Sequence, residues 1–237
     1  MGRSSITVVI PAYNEEKNLP ACLTALNNQS IGRDAFDVIV IDNNSSDNTT
    51  KVAERFGAKV ILESTQGNVN AFKKGMESVR SEIAVNIDAD TIFPKDGLAL
   101  IDKAFEDPSV IGVTGTATLN ISSMPLQIVC RYFYSTFLWA HFLIGKPHLV
   151  GFCMAVRTSA YRKAGGVNMH YRISADVDLG LRMKKFGKML FLPNLVVRTS
   201  ARRWQESFFQ TIVEYTNAYI HTVWLRKPAA FKQKVVR

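Results

Sequence analysis

From residue 6 to residue 90 the chain alternates short runs of Val and Ile with stretches whose apolar residues recur at three- and four-residue spacing. The runs "ITVVIPAYN" (6–14), "FDVIVIDNN" (36–44), "AKVILES" (58–64) and "IAVNIDAD" (83–90) each end in polar or turn residues, as buried strands do. Between them, segments 15–29, 47–56 and 68–80 carry helical periodicity, with Leu19, Cys22, Leu23 and Leu26 forming one such face. The resulting β-α-β-α-β-α-β order predicts an α/β fold: a mostly parallel central sheet flanked by helices on both faces, with ligands at the carboxyl ends of the strands. Those ends carry Asp42, Asp88 and Asp90.

The second half is less regular. Segments 110–120 and 189–200 read as strands, and 124–144 as a helix that is apolar all round except for a stripe of Gln127, Arg131 and Ser135. Arg131 interrupts the apolar run too early for a bilayer span of about 20 residues, so a core helix, or one lying at a membrane surface, is expected. One domain over 1–200 is expected, followed by an amphipathic helical extension over 201–237. In that extension Trp204, Phe208, Ile212, Thr216, Tyr219 and Val223 fall on one side, and Glu206, Gln210, Glu214, Asn217 and His221 on the other. Basic residues follow it, among them Arg226, Lys227 and Lys232. Peripheral contact with a membrane and docking on the domain or on a second subunit, as in a homo-oligomer, both suit such a helix.

Composition narrows the class without choosing the function. With 237 residues, 47% hydrophobic and 21% charged, the chain is a folded protein able to bury one solid core. Cys22, Cys130 and Cys153 form no C-x-x-C pair, so neither a disulfide framework nor a zinc knuckle is expected, and the thiols read as those of a reduced, cytoplasmic protein. The start, "MGRSSITVVIPAYNEE", has no long apolar stretch of the kind a signal peptide carries. The formal net charge of +9 implies an anionic partner: a nucleotide, a nucleic acid or a membrane surface.

Candidate chemistry sits in "AVNIDADTIFP". An apolar strand that ends in Asp88 and Asp90 brings two costly carboxylates together, and on an extended chain residues two apart share a side. Such a pair suits a hard cation, Mg²⁺ or Mn²⁺, that leaves room for phosphate oxygens; solvation of a turn before Pro94 is the alternative. No G-x-G-x-x-G follows the first strand, which argues against a nicotinamide-dependent dehydrogenase. A nucleic-acid-binding module would leave the ordered aspartates unexplained.

"VVIPAYNEE" (8–16), "VIVIDNNSSDNT" (38–49), "NIDADTIFP" (86–94) and "ADVDLGLRMKKFGK" (175–188) together resemble the successive motifs of the inverting, GT-A-type nucleotide-sugar glycosyltransferases of family two. The resemblance implies a nucleotide pocket lined by Pro11, Ala12, Tyr13 and Glu15, with Asp42 on the base. It places Gly67 and Lys73 of "QGNVNAFKKG" beside the diphosphate, Asp88 with Asp90 on Mn²⁺ or Mg²⁺, and Asp176 as the catalytic base. Asp178 and Arg182 would order the start of that helix; Asp176 as a helix cap is the alternative. Ser-Ala-Arg-Arg-Trp (200–204) keeps the Arg-Trp of the related processive synthases but has Ser200 where they have Gln, so a single transfer is expected, with Arg202 or Arg203 near the diphosphate. The implied partners are a nucleoside diphosphate sugar donor and a lipid-linked or glycan acceptor, with no nucleic acid. The family usually has Glu before the base, whereas this chain has Ala175, which keeps open a non-catalytic nucleotide-sugar-binding protein on the same fold.

Overall fold

In a computed structural model that describes residues 5–202 and 207–229, strand β1 (Ile6–Ala12) is buried at every position because it has a strand on each side and helices over both faces. It pairs in parallel with β2 (Phe36–Asp42) and with β4 (Ile83–Asn86), Val8 lying opposite Val38 and Val85. β3 (Lys59–Leu62) extends the parallel half beyond β2. On the other side β6 (Met154–Arg157) runs antiparallel to both β4 and β5 (Val110–Asn120), and β7 (Lys188–Ser200) pairs in parallel with β5. The seven-stranded order is β3-β2-β1-β4-β6-β5-β7, a mostly parallel sheet.

Two cores follow from the alternation of side chains along these strands. On one face Val8, Ile10 and Val85 meet α1 (Leu19–Asn27) through Leu19, Leu23 and Leu26, and α4 (Gly97–Phe105) through Leu98 and Ile101. Each such buried side chain contributes on the order of 1.5–3 kcal/mol relative to exposure. On the other face Val9 and Ile41 meet α3 (Asn68–Ser78), and the same core continues under α6 (Thr158–Lys163) and α7 (Ala175–Met183). α3 lies close on the sheet: a Cβ at Gly75 would stand 2.3 Å from Val9 Cγ1 and 3.0 Å from Ile41 Cγ1. Between β2 and β3 runs α2 (Thr49–Arg55), and the second half adds α5 (Met124–Leu143) and α8 (Phe208–Tyr219), the latter continuing into a π-helical turn, Ile220–Leu225.

Three details are set by tertiary contacts. β4 stops at Asn86, and Asp88 to Thr91 form a turn closed by the Thr91 N–H on the Asp88 carbonyl at 3.0 Å. The two aspartates therefore stand on a turn and not on extended backbone. The stripe on α5 faces inward: Ser135 shares a 2.8 Å hydrogen bond with Thr116 of β5, and Gln127 donates to the Ile121 carbonyl, while large apolar residues face out. On α8 and its π turn the buried residues are Thr211, Ala218, Thr222 and Val223, whereas Ile212 and Thr216 are exposed. Small side chains allow the close approach there. Trp204 and Glu206 lie outside the described residues. Among the described residues no helix is long and apolar enough to cross a membrane.

Candidate active site

Pro11 in a central strand removes a ladder donor, but β4 has left β1 by then: the last bond on that side runs from the Ile87 N–H to the Val9 carbonyl. Beyond Ala12 the chain enters a loop laced to the one after β2. The Asn14 N–H donates to Ser45 Oγ at 3.0 Å, the Ser46 N–H to Asn14 Oδ1 at 2.8 Å, and the Asn48 N–H to Glu16 Oε2 at 3.1 Å. Asn14 and Asn44 both take positive φ, 53° and 63°, which Asn tolerates better than most residues. Tyr13 is half-buried on this rim.

Asp42 is buried and accepts the Ser45 N–H at 2.9 Å and the Thr50 hydroxyl. A carboxylate has about four acceptor sites, so these bonds shape the loop without exhausting it. Its neighbour Asn43 was not singled out in the sequence, yet it fixes the next loop by donating to the Glu63 and Thr65 carbonyls and accepting the Gly67 N–H at 2.7 Å. Gly67 has φ +134° immediately before α3, a conformation that favours glycine. Lys73 stands one turn into α3, 3.9 Å from Glu77.

An acidic corner forms where β1, the Asp88–Thr91 turn and the end of β7 meet. Arg202 Nη2 lies 2.7 Å from Glu15 Oε1 and 3.7 Å from Asp90 Oδ2, and the Thr199 hydroxyl is 3.4 Å from Asp90 Oδ1. Burial raises the pKa of Asp90, as does the Glu15 charge, against the opposing pull of Arg202 and Thr199. Behind the turn the Cys22 thiol is pushed up by burial and then by Asp90, Asp88 and Glu15. Among the described residues Glu15 and Asp90 thus flank the Arg202 guanidinium, and Asp88, two residues before Asp90, completes a pair of hard-oxygen donors of the kind a divalent ion takes. Among the described residues no three His, Cys, Asp or Glu side chains gather as a complete metal site, so such an ion would take its remaining ligands from diphosphate and water.

Asp176 occupies the first turn of α7, where unpaired backbone N–H groups and the helix dipole favour a carboxylate. Its Oδ2 accepts the Gly151 N–H at 2.7 Å and its Oδ1 the Val177 N–H at 2.8 Å. Burial nevertheless outweighs these bonds and pushes its pKa up to about 6. Gly151 is held in turn from β4, because Asn86 Nδ2 donates to its carbonyl at 2.6 Å. Asn86 is 2% exposed and its Oδ1 has no partner. One short chain of hydrogen bonds therefore connects the strand that leads to Asp88 and Asp90 with the carboxylate of Asp176. Asp178 is an ion-pair partner instead: Arg182 Nε reaches its Oδ2 at 2.8 Å, while the same guanidinium binds the Ala164 and Gly166 carbonyls.

Residues 7–165 match the sequence profile of glycosyl transferase family 2. The chain belongs to that family. Over 90 residues it is 39% identical to an uncharacterized glycosyltransferase of Mycobacterium tuberculosis strain H37Rv, an overlap covering 38% of each chain. Over 117 residues it is 34% identical to the undecaprenyl-phosphate 4-deoxy-4-formamido-L-arabinose transferase of Pseudomonas paraeruginosa, covering 45% of this chain and 34% of that one. The chain thus spans well under half the length of these relatives. Its fold resembles that of the mannosyltransferase PcManGT from Pyrobaculum calidifontis, solved with GDP-Man and Mn²⁺, with a TM-score of 0.69 at 20% identity over 90% of this chain and 63% of that one. The sheet and its flanking helices are those of a GT-A fold.

Among the residues the sequence suggested, Glu15, Asp90 and Arg202 stand in one corner, and Pro11, Ala12, Tyr13 and Asp42 border the laced loops beside it. Arg203 lies outside the described residues. Asn43 and Asn86 are the additions. A polar residue inside the otherwise apolar "IAVN" was the only signal for Asn86, and its partner Gly151 is 65 positions away.

Proposed function

We propose that this chain is an inverting, metal-dependent glycosyltransferase that moves a single sugar from a nucleoside diphosphate sugar to a lipid-linked or glycan acceptor. The observation that carries this reading is Asp176, an ionisable carboxylate held by the Gly151 and Val177 amides and connected through Asn86 to the Asp88–Asp90 turn. With a pKa of about 6 it is ionised at neutral pH and basic enough to accept a proton. The acceptor hydroxyl gives its proton to Asp176 as its oxygen attacks the anomeric carbon. The bond from that carbon to the diphosphate oxygen breaks, and the leaving oxygen keeps the electron pair; attack from the opposite face inverts the anomeric centre.

Mg²⁺ or Mn²⁺, when bound by Asp88 and Asp90, supplies positive charge to the diphosphate. Arg202, held by Glu15, stands close enough to Asp90 to add a charge-assisted donor for the same oxygens. Asp42 and Tyr13 border the base, and Gly67 and Lys73 belong to the diphosphate side. The PcManGT complex with GDP-Man and Mn²⁺ supports this choice of donor and metal, and the undecaprenyl-phosphate transferase supports a lipid-linked acceptor.

Isothermal titration with UDP, GDP and dTDP, each with and without Mn²⁺, tests the reading. Metal-dependent binding of at least one, lost in Asp90→Ala, is expected; no binding of any of them in either condition would sink it. Ala175 motivates the non-catalytic alternative, but it is buried against the core that holds Leu179, where a Glu side chain would have to displace its neighbours. Turnover separates the two.

A further inference from the structure

The face built by α5, α8 and the π-helical turn presents large apolar side chains outward. Phe133 is 76% exposed, Leu143 65%, Phe209 81% and Trp224 56%. Singly exposed apolar residues are ordinary, but a continuous helix face of them is a contact surface. The two helices are joined as one platform: His141 Nε2 lies 2.6 Å from the Tyr219 hydroxyl, and Phe137, His141, His148 and Tyr219 form an aromatic joint between them.

Charge identifies what this face meets. No Asp or Glu occurs from Pro108 to Ala175, and residues 108–237 hold 18 Lys and Arg against 4 Asp and Glu, whereas residues 1–107 hold 11 against 16. At the end of α5 the cations converge. The Lys146 ammonium lies 3.0 Å from the centre of the Trp224 ring, and Lys184 Nζ donates to the Gly145 carbonyl. Desolvation and then the charges of Arg226 and Lys184 lower the Lys146 pKa. A self-complementary contact with a second copy would bring the same cations together from both sides. A bilayer of anionic lipid instead takes Trp, Phe and Leu at the headgroup boundary and places phosphates beside Lys146 and Arg226.

We propose that α5, α8 and the Trp224–Lys227 segment form a docking face for an anionic membrane surface, with the apolar side chains inserted at the interface and Lys146, Lys184, Arg226 and Lys227 at the headgroups. α5 adjoins the site, because its Tyr134 packs 6.1 Å from the ring of Phe152, the residue after the Gly151 whose N–H binds Asp176. Its role in presenting the acceptor rests on the lipid-linked reading above; binding to the surface does not.

Co-sedimentation of the full chain with phosphatidylcholine vesicles, with and without phosphatidylglycerol, tests the proposal. Binding is expected only with phosphatidylglycerol and should weaken as salt is raised. The pair Lys146→Glu and Arg226→Glu should reduce it about tenfold or more through lost headgroup attraction. Phe133→Ser, at an exposed position that folding does not need, should reduce it about tenfold through lost insertion. Equal binding to neutral vesicles, no binding to anionic ones, or a dimer in solution that Phe133→Ser dissociates would overturn it. Nucleoside diphosphate titration on the same variants should match wild type. A chain that binds vesicles but no nucleotide would refute the proposed function and leave the docking face standing.

Discussion

Replacing Asp176 by Asn should cut transfer by about 10²–10⁴ yet stabilise the protein at pH 8. Burial pushes the Asp176 pKa up to about 6, against about 3.9 for a free Asp. That gap of about two pH units corresponds to about 3 kcal/mol favouring the protonated form in the fold. Because the folded pKa is the higher one, the stabilising contribution of the group is complete below about pH 4 and is lost as pH rises through about 6. Asn stays neutral throughout, so the variant gains on wild type over that interval. It also has one acceptor oxygen where Asp has two, so either the Gly151 or the Val177 N–H loses its partner, at about 1 kcal/mol. The balance is about 1–2 kcal/mol in favour of the variant at pH 8, or about 2–8 °C in Tm for a chain of this size. Near pH 4 the sign reverses, and the variant should be less stable by about 1 kcal/mol. Thermal melts of both proteins from pH 4 to 8 test this directly, alongside transfer rates, which should fall by about 10²–10⁴ in the variant. Wild-type kcat/KM should itself fall about tenfold per unit below pH 6 as the base is protonated. A stability difference independent of pH, or wild-type turnover in the variant, would refute both the burial and the role assigned to this carboxylate.

Three further predictions probe the supports of the site. Asn86→Leu removes the donor that holds Gly151 and should lower kcat/KM about tenfold while moving the acidic limb of the pH profile upward; a lower rate with an unmoved limb would reduce Asn86 to a packing residue. Arg202→Ala leaves Glu15 and Asp90 facing each other and should weaken nucleoside diphosphate binding by about tenfold or more, read by titration calorimetry; unchanged affinity would remove Arg202 from the diphosphate site. Gly75→Ala drives a methyl group into Val9 and should cost about 1–3 kcal/mol in urea unfolding with nucleotide affinity retained in the folded protein; neutral stability would contradict the close seating of α3.

The parallel half of the sheet was readable in the sequence because strands buried on both faces become uninterrupted Val and Ile runs, as in "TVVI" and "VIVI". Strand ends were less readable. β4 ends at Asn86, opposite Val9, while β1 goes on pairing with β2 as far as Ala12, a fact that belongs to the pairing of strands and to no single sequence run. α4 is not legible as an element: nine residues give too few periods to distinguish it from neighbouring loops. The direction of the α5 stripe is not written in its spacing: Ser135 finds a hydroxyl at Thr116, and a satisfied polar group can face inward. The acidic corner was half legible. Asp88 and Asp90 stand out in an apolar run, whereas the salt bridge from Arg202 to Glu15 spans 187 positions and depends on where β7 ends.

Release of nucleoside diphosphate from a panel of UDP-, GDP- and dTDP-sugars, with Mn²⁺ or Mg²⁺ and with lipid extract as acceptor source, tests the transferase assignment most directly. Release from one donor by wild type, and by neither Asp90→Ala nor Asp176→Asn, is the predicted result. Silence of the wild type across the whole panel, or release undiminished in both variants, would contradict it.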